Sequence, residues 1–165
     1  MSVVCWIVEG TWPACVDAAR ALAPADADVV LLHVIGPEVP AVAHGAYAGL
    51  LGRGHRGGPT DEDPGGRVSE LAAAAAERLL DAAAQRLGRP ARRVTTHGRV
   101  ERAVVAAAEH ADLLVVARDG DRGRLGPRSL GPHSRFVVDH APCPVLLVWP
   151  EQAPDITSVP PPPHR

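Results

Sequence analysis

Eighteen residues, "ARDGDRGRLGPRSLGPHS" (117–134), set four Gly and four Arg directly behind the apolar run "ADLLVV", in a chain that has no Lys. Glycine permits positive φ and close backbone approach, successive amides in such a turn can face an anion, and guanidinium groups add charge-assisted donors. Gly120, Gly123, Gly126 and Gly131 are therefore expected to open the backbone toward a phosphate. Pro132 is expected to start a helix whose positive dipole end adds to the same place. Ser134, Arg118, Arg122, Arg124 and Arg128 are further candidate donors; the other reading of the Arg set is a solvated face balanced by Asp119 and Asp121. Two common phosphate motifs do not fit. A Walker loop needs a Lys after its second Gly, and a dinucleotide fingerprint needs GxGxxG straight after the first strand, where "EGTWPA" stands.

Catalytic patterns are weaker still. No GxSxG elbow and no Ser-His-acid set of recognisable spacing occurs, and His33, His97, His133 and His140 include no i, i+4 pair for a helical metal site. A phosphoacceptor fold of the response-regulator kind needs an acid at the end of its third strand and a Lys after its fifth, against "VTTHG" and no Lys. The chain is expected to bind rather than catalyse.

The elements that must position these residues alternate. "SVVCWIV" (2–8), "DVVLLHVI" (28–35), "RRVTTH" (92–97), "DLLVVA" (112–117) and "PVLLVW" (144–149) read as buried strands. Helices are expected in "WPACVDAARALA" with Thr11 as N-cap, in the Ala-rich 69–87 closed by Gly88, in "VERAVVAAAEH" and in "PHSRFVVDH". Such alternation predicts α/β architecture: one doubly wound, open, five-stranded parallel sheet with helices on both faces, spanning residues 1–150. Its ligand crevice is expected where the winding reverses, at the carboxyl ends of the first and fourth strands, so Glu9, Gly10 and Thr11 join the Gly-rich loop as candidates. Residues 36–66 are Gly- and Pro-dense and read as a loop insertion; 151–165 end in "VPPPPHR" and read as an extended, disordered tail.

At 165 residues with 46% hydrophobic content, the chain suits one packed domain. A net charge of -2 gives no global case for nucleic acid or a membrane surface. Three Cys without metal or redox spacing, no basic leader and no apolar run of about 20 residues predict a cytoplasmic protein with free thiols.

"DLLVVARDGDRG" followed by "LGPHSRFVVDHAPCPVLLV" resembles the carboxyl-terminal signature of the universal stress protein family: Gly, two residues, Gly, nine residues, Gly, then Ser or Thr. "VVCWIVEGT" is similar to that family's opening strand and Asp-x-Ser turn, and "DVVLLHVI" and "THGRVERAVVAAAEHADLLVV" are similar to its following elements in order. The resemblance implies the five-stranded fold just described, an ATP site with AMP as the alternative, a role in stress response, and a homodimer through the last strand, 144–149. Its site maps onto Glu9, Gly10, Thr11, Val34, Ala117, Gly120, Gly123, Gly131, His133 and Ser134, with Val34 touching adenine through its backbone. This chain departs from the pattern at four points: Glu9 for Asp, Ala117 for the first Gly, ten residues rather than nine before Gly131, and Pro132 for Ser or Thr. Pro132 removes a hydroxyl and an N–H, a loss of about 1.5–3 kcal/mol per charged contact. The alternative is therefore a family member that holds no nucleotide and acts as a dimeric interaction module.

Overall fold

A computed structural model describes residues 1–37 and 64–163. In chain order the elements are β1 (Ser2–Trp6), α1 (Trp12–Leu22), β2 (Asp28–Ile35), α2 (Pro64–Leu87), β3 (Arg92–His97), α3 (Val100–Ala107), β4 (Leu113–Ala117), α4 (Pro132–His140) and β5 (Val145–Val148), with single 3-10 turns at Pro127–Ser129 and Ile156–Ser158. The strands form one parallel sheet in the order β3-β2-β1-β4-β5. The chain winds outward from β1 to β3 and then crosses back to β4, so the reversal lies between β1 and β4, as expected.

Alternation along each strand divides the core in two, because successive strand side chains point to opposite faces. Val3, Cys5, Ile7, Val29, Leu31 and Val115 face α1 and α2. On the other side Val4, Trp6, Val30, Leu32, Leu114 and Val116 face α3 and α4. Near-continuous burial of β1, β2 and β4 is what a parallel sheet covered on both faces demands.

Several boundaries differ from the sequence reading. β1 stops at Trp6 rather than Val8, because the Val8 carbonyl accepts the Thr11 and Trp12 amides at 3.2 and 3.0 Å and turns the chain. Thr11 precedes α1 as expected but makes no side-chain capping bond; it is buried instead. α2 begins at Pro64, five residues before the expected Ser69, with the first-turn Pro whose fixed φ suits a helix start. The loop expected over 36–66 thus gives up 64–66 to α2, and residues 38–63 lie outside the described residues. Gly88 closes α2 as expected, at φ +70°, its amide bonded to the Ala84 carbonyl. In place of a wholly extended tail, the 3-10 turn at Ile156–Ser158 is capped by Asp155, whose carboxylate accepts the Thr157 amide at 2.8 Å.

Candidate functional site

The connection from β4 to α4 folds on itself. Gly120 N–H donates to the Ser129 carbonyl at 2.9 Å and Asp121 N–H to the Arg128 carbonyl at 2.8 Å, so two stretches of loop backbone lie against each other. That approach explains Gly120: an added Cβ would stand 2.3 Å from the Arg128 carbonyl oxygen. Positive φ, expected at all four loop glycines, occurs at Gly126 alone among them, at +126°. Gly120 and Gly131 are there for space. At Gly131, φ -69° and ψ 174° are open to any residue, but a Cβ would meet the Asp119 carboxylate at 3.0–3.2 Å.

The loop amides expected to converge on phosphate are instead held by the protein. Gly123 N–H donates to Asp121 Oδ1 at 2.9 Å, a local Asx turn, and Leu125 N–H donates to Ser158 Oγ at 3.0 Å. Gly131 N–H, at the mouth of α4, donates to Asp119 Oδ1 at 2.7 Å. Asp119 therefore places a carboxylate on the amide that the resemblance assigned to a ligand's phosphate. Helix geometry leaves His133 and Ser134 amides without intrahelical partners, since the first such bond runs from Arg135 N–H to the Gly131 carbonyl at 2.9 Å.

The arginines divide. Arg118 turns inward: its Nη1 donates to Ser129 Oγ, its guanidinium lies 4.8 Å from the centre of the Trp149 ring, and its buried Nε has no partner among the described residues. Ser129, wholly buried, in turn donates to the Gly126 carbonyl at 2.7 Å. Arg122 reaches Glu151 at 3.4 Å. Arg124 and Arg128 are exposed, in keeping with a solvated face.

The remaining candidates surround this loop. Ala117 ends β4 and is buried under α1, and Val34 is buried on the opposite face of β2, paired in register with Thr96. Glu9 and Gly10 form the exposed turn after β1, with Gly10 at φ +83°. Ser134 is buried inside α4. His133 is exposed and its Nδ1 meets Glu101 Oε2 at 2.9 Å, beside a hollow of about 130 Å³ lined by Gly36, Pro37, Arg99, Val100, Glu101 and His133. The Glu101 carboxyl is held below the ordinary carboxylate range, chiefly by its own backbone amide at the start of α3 and further by His133 and Arg99. The structure thus gathers Ala117, Gly120, Gly123, Gly131 and Ser134 into one connection, whereas no hydrogen bond among the described residues joins the Glu9–Thr11 turn to it.

Sequence reasoning missed Asp119, Glu101, Trp149 and Ser158. Asp119 was legible only as a charge balancing arginines; its bond to Gly131 spans twelve residues of chain. No group of three or more metal-binding side chains occurs among the described residues, and no helix among them is long and apolar enough to cross a membrane.

Comparison with known proteins agrees with this architecture. Among curated proteins, no sequence matches the chain. The chain is similar in fold to a hypothetical protein whose biochemical function was assigned from its structure, at 17% identity and TM-score 0.61, with 92% of this chain and 97% of that one covered. It is similar to a universal stress protein in complex with cAMP, at 18% identity and TM-score 0.56, over 92% and 98%. It is also similar to a universal stress protein family protein from Arabidopsis thaliana with AMP bound, at 19% identity and TM-score 0.56, over 97% and 95%. The model of the universal stress protein family matches residues 9–148, from the turn after β1 to the last residue of β5, and the chain belongs to that family.

Proposed function

We propose that this universal stress protein binds an adenine nucleotide through one phosphate at the start of α4 and uses that binding in stress signalling rather than catalysis. One observation carries the reading: the Gly131 amide already holds an anionic oxygen, Asp119 Oδ1, at 2.7 Å. Asp119 is exposed, so a ligand phosphate can take its place on the amide and the helix dipole. The amide of the exposed His133, without an intrahelical partner, adds a donor. The cAMP and AMP held by proteins of the same fold support an adenine ring as the other half of the ligand. A monophosphate is favoured over ATP, because the Gly120, Asp121, Gly123 and Leu125 amides are committed within the protein and leave no cradle for a second and third phosphate. The three free thiols suit a reducing cytoplasm. The half-buried apolar β5, at the border of the sheet, suits pairing with a second copy.

Calorimetric titration of the full chain with AMP, cAMP and ATP plus Mg²⁺ tests this. AMP is expected to bind in the micromolar range, more tightly in Asp119→Ala, and not measurably in Gly131→Val. No heat at millimolar AMP would refute it. A second reading, a dimeric interaction module without nucleotide, draws on the same committed amides and on Pro132, which lacks an N–H. A calorimetric blank together with a two-subunit mass by light scattering would favour it.

A further inference from the structure

Residues 149–160 lie beyond the family match, which ends at Val148, yet they meet the β4–α4 loop at three places and lie beside it at a fourth. Trp149 stacks under the Arg118 guanidinium, and Glu151 pairs with Arg122. Ser158 Oγ accepts the Leu125 amide at 3.0 Å while donating to the Asp155 carbonyl at 2.6 Å, so the acceptor is itself fixed by the 3-10 turn. The Pro160 ring lies beside Gly126, 3.8 Å from where a Cβ would stand. These contacts are spaced along 118–126, where the segment holds the Leu125 amide directly and the Gly120, Asp121 and Gly123 amides are held within the loop.

We infer that residues 149–160 are a specificity-determining strap: they hold the Gly-rich loop closed and so restrict the nucleotide site to a single phosphate. The inference rests on the nucleotide reading above for the ligand, but the mechanical part stands on the strap's own contacts. A loop held at Arg118, Arg122 and Leu125, with the Pro160 ring beside Gly126, opens its Gly120–Ser129 and Asp121–Arg128 backbone pairs more readily once it leaves the strap. Released, the same loop offers the Gly120, Asp121 and Leu125 amides and the Arg118 guanidinium to a longer polyphosphate.

The test uses the full chain carrying Ser158→Ala and Pro160→Gly together, which removes the Leu125 acceptor and the ring beside Gly126 while leaving the core untouched. Hydrogen exchange is expected to speed at Leu125 by about tenfold or more, and at Gly120 and Asp121 to a lesser extent, by loss of local protection. Calorimetry is expected to give a ratio of ATP to AMP affinity about tenfold higher than in wild type, worth about 1.4 kcal/mol. Unchanged exchange at Leu125 would overturn the strap whatever the nucleotides do. Faster exchange with an unchanged affinity ratio would overturn its role in specificity. If wild type binds neither nucleotide, the nucleotide reading and the specificity fall together, and exchange still decides whether the strap fastens the loop.

Discussion

Gly120→Ala asks whether the closed loop is a packed structure. A Cβ at this position would stand 2.3 Å from the Arg128 carbonyl oxygen, 2.9 Å from the Ser129 carbonyl carbon and 3.0 Å from that of Leu130. All three are backbone atoms, so no side chain can swing aside; the two stretches must separate. Separation sacrifices the Gly120–Ser129 and Asp121–Arg128 hydrogen bonds, each worth about 0.5–1.5 kcal/mol net. Residual overpacking adds about 1–3 kcal/mol. A total of about 2–6 kcal/mol lowers the melting temperature of a domain this size by about 4–24 °C. Gly123→Ala is the control, since its Cβ would meet only the exposed Asp121 carboxylate oxygen at 3.3 Å and its φ is not positive. A change within about 1 kcal/mol is expected there, part of it a gain from a stiffer unfolded chain. Differential scanning calorimetry of both variants decides the matter. Equal melting temperatures, or a Gly120→Ala protein within 2 °C or so of wild type, would mean that the loop is not closed as described.

Other outcomes follow from contacts elsewhere. Arg86 grips Asp17 with two hydrogen bonds of 2.8 and 2.7 Å and so ties α2 to α1, holding the Asp17 carboxyl below its ordinary range; because both side chains are well exposed, Asp17→Asn should cost only about 0.5–1 kcal/mol in denaturant melts at pH 7, and less in high salt. Glu101, with its carboxyl lowered in the folded state, contributes stability above the ordinary carboxylate range that is lost as pH falls through the folded value. Glu101→Gln should therefore flatten the acid limb of a stability-against-pH profile while leaving its alkaline side unchanged; an identical acid limb would contradict this. Burial pushes the Cys5 and Cys15 thiols up to about 12, and both are inaccessible, while Cys143 is only half-buried. A thiol reagent at pH 8 should label Cys143 alone in the folded protein and all three residues in guanidinium.

The sheet and its winding were readable because most strands are written twice, in near-continuous apolar runs and in flanking punctuation. The bounds of β2, β3 and α4 coincide with the sequence reading at every residue, with Pro132 marking the start of α4. The reversal between β1 and β4 then located the loop. Its interior was not readable, because what decides it is contact between residues distant in sequence: Asp119 with Gly131, Leu125 with Ser158, Arg118 with Trp149. Glycines carry two meanings, freedom of φ and absence of a side chain, and sequence does not say which one a position uses. At Gly10 and Gly126 it is the first; at Gly120 and Gly131 it is the second. Likewise Pro-rich composition hid a capped turn, because Asp155 needs only the next two residues to form it.

The two borders of the sheet are unlike. Along β3, Arg92 is bound to Asp28 and Arg93 to Asp81, a fringe of ion pairs that offers a neighbouring chain little to zip onto. Along β5 stand Val145, Leu146, Leu147 and Val148, none of them fully covered. Pairing through β5, as proposed above, would consume one margin per molecule and stop there, giving a closed pair rather than a fibre.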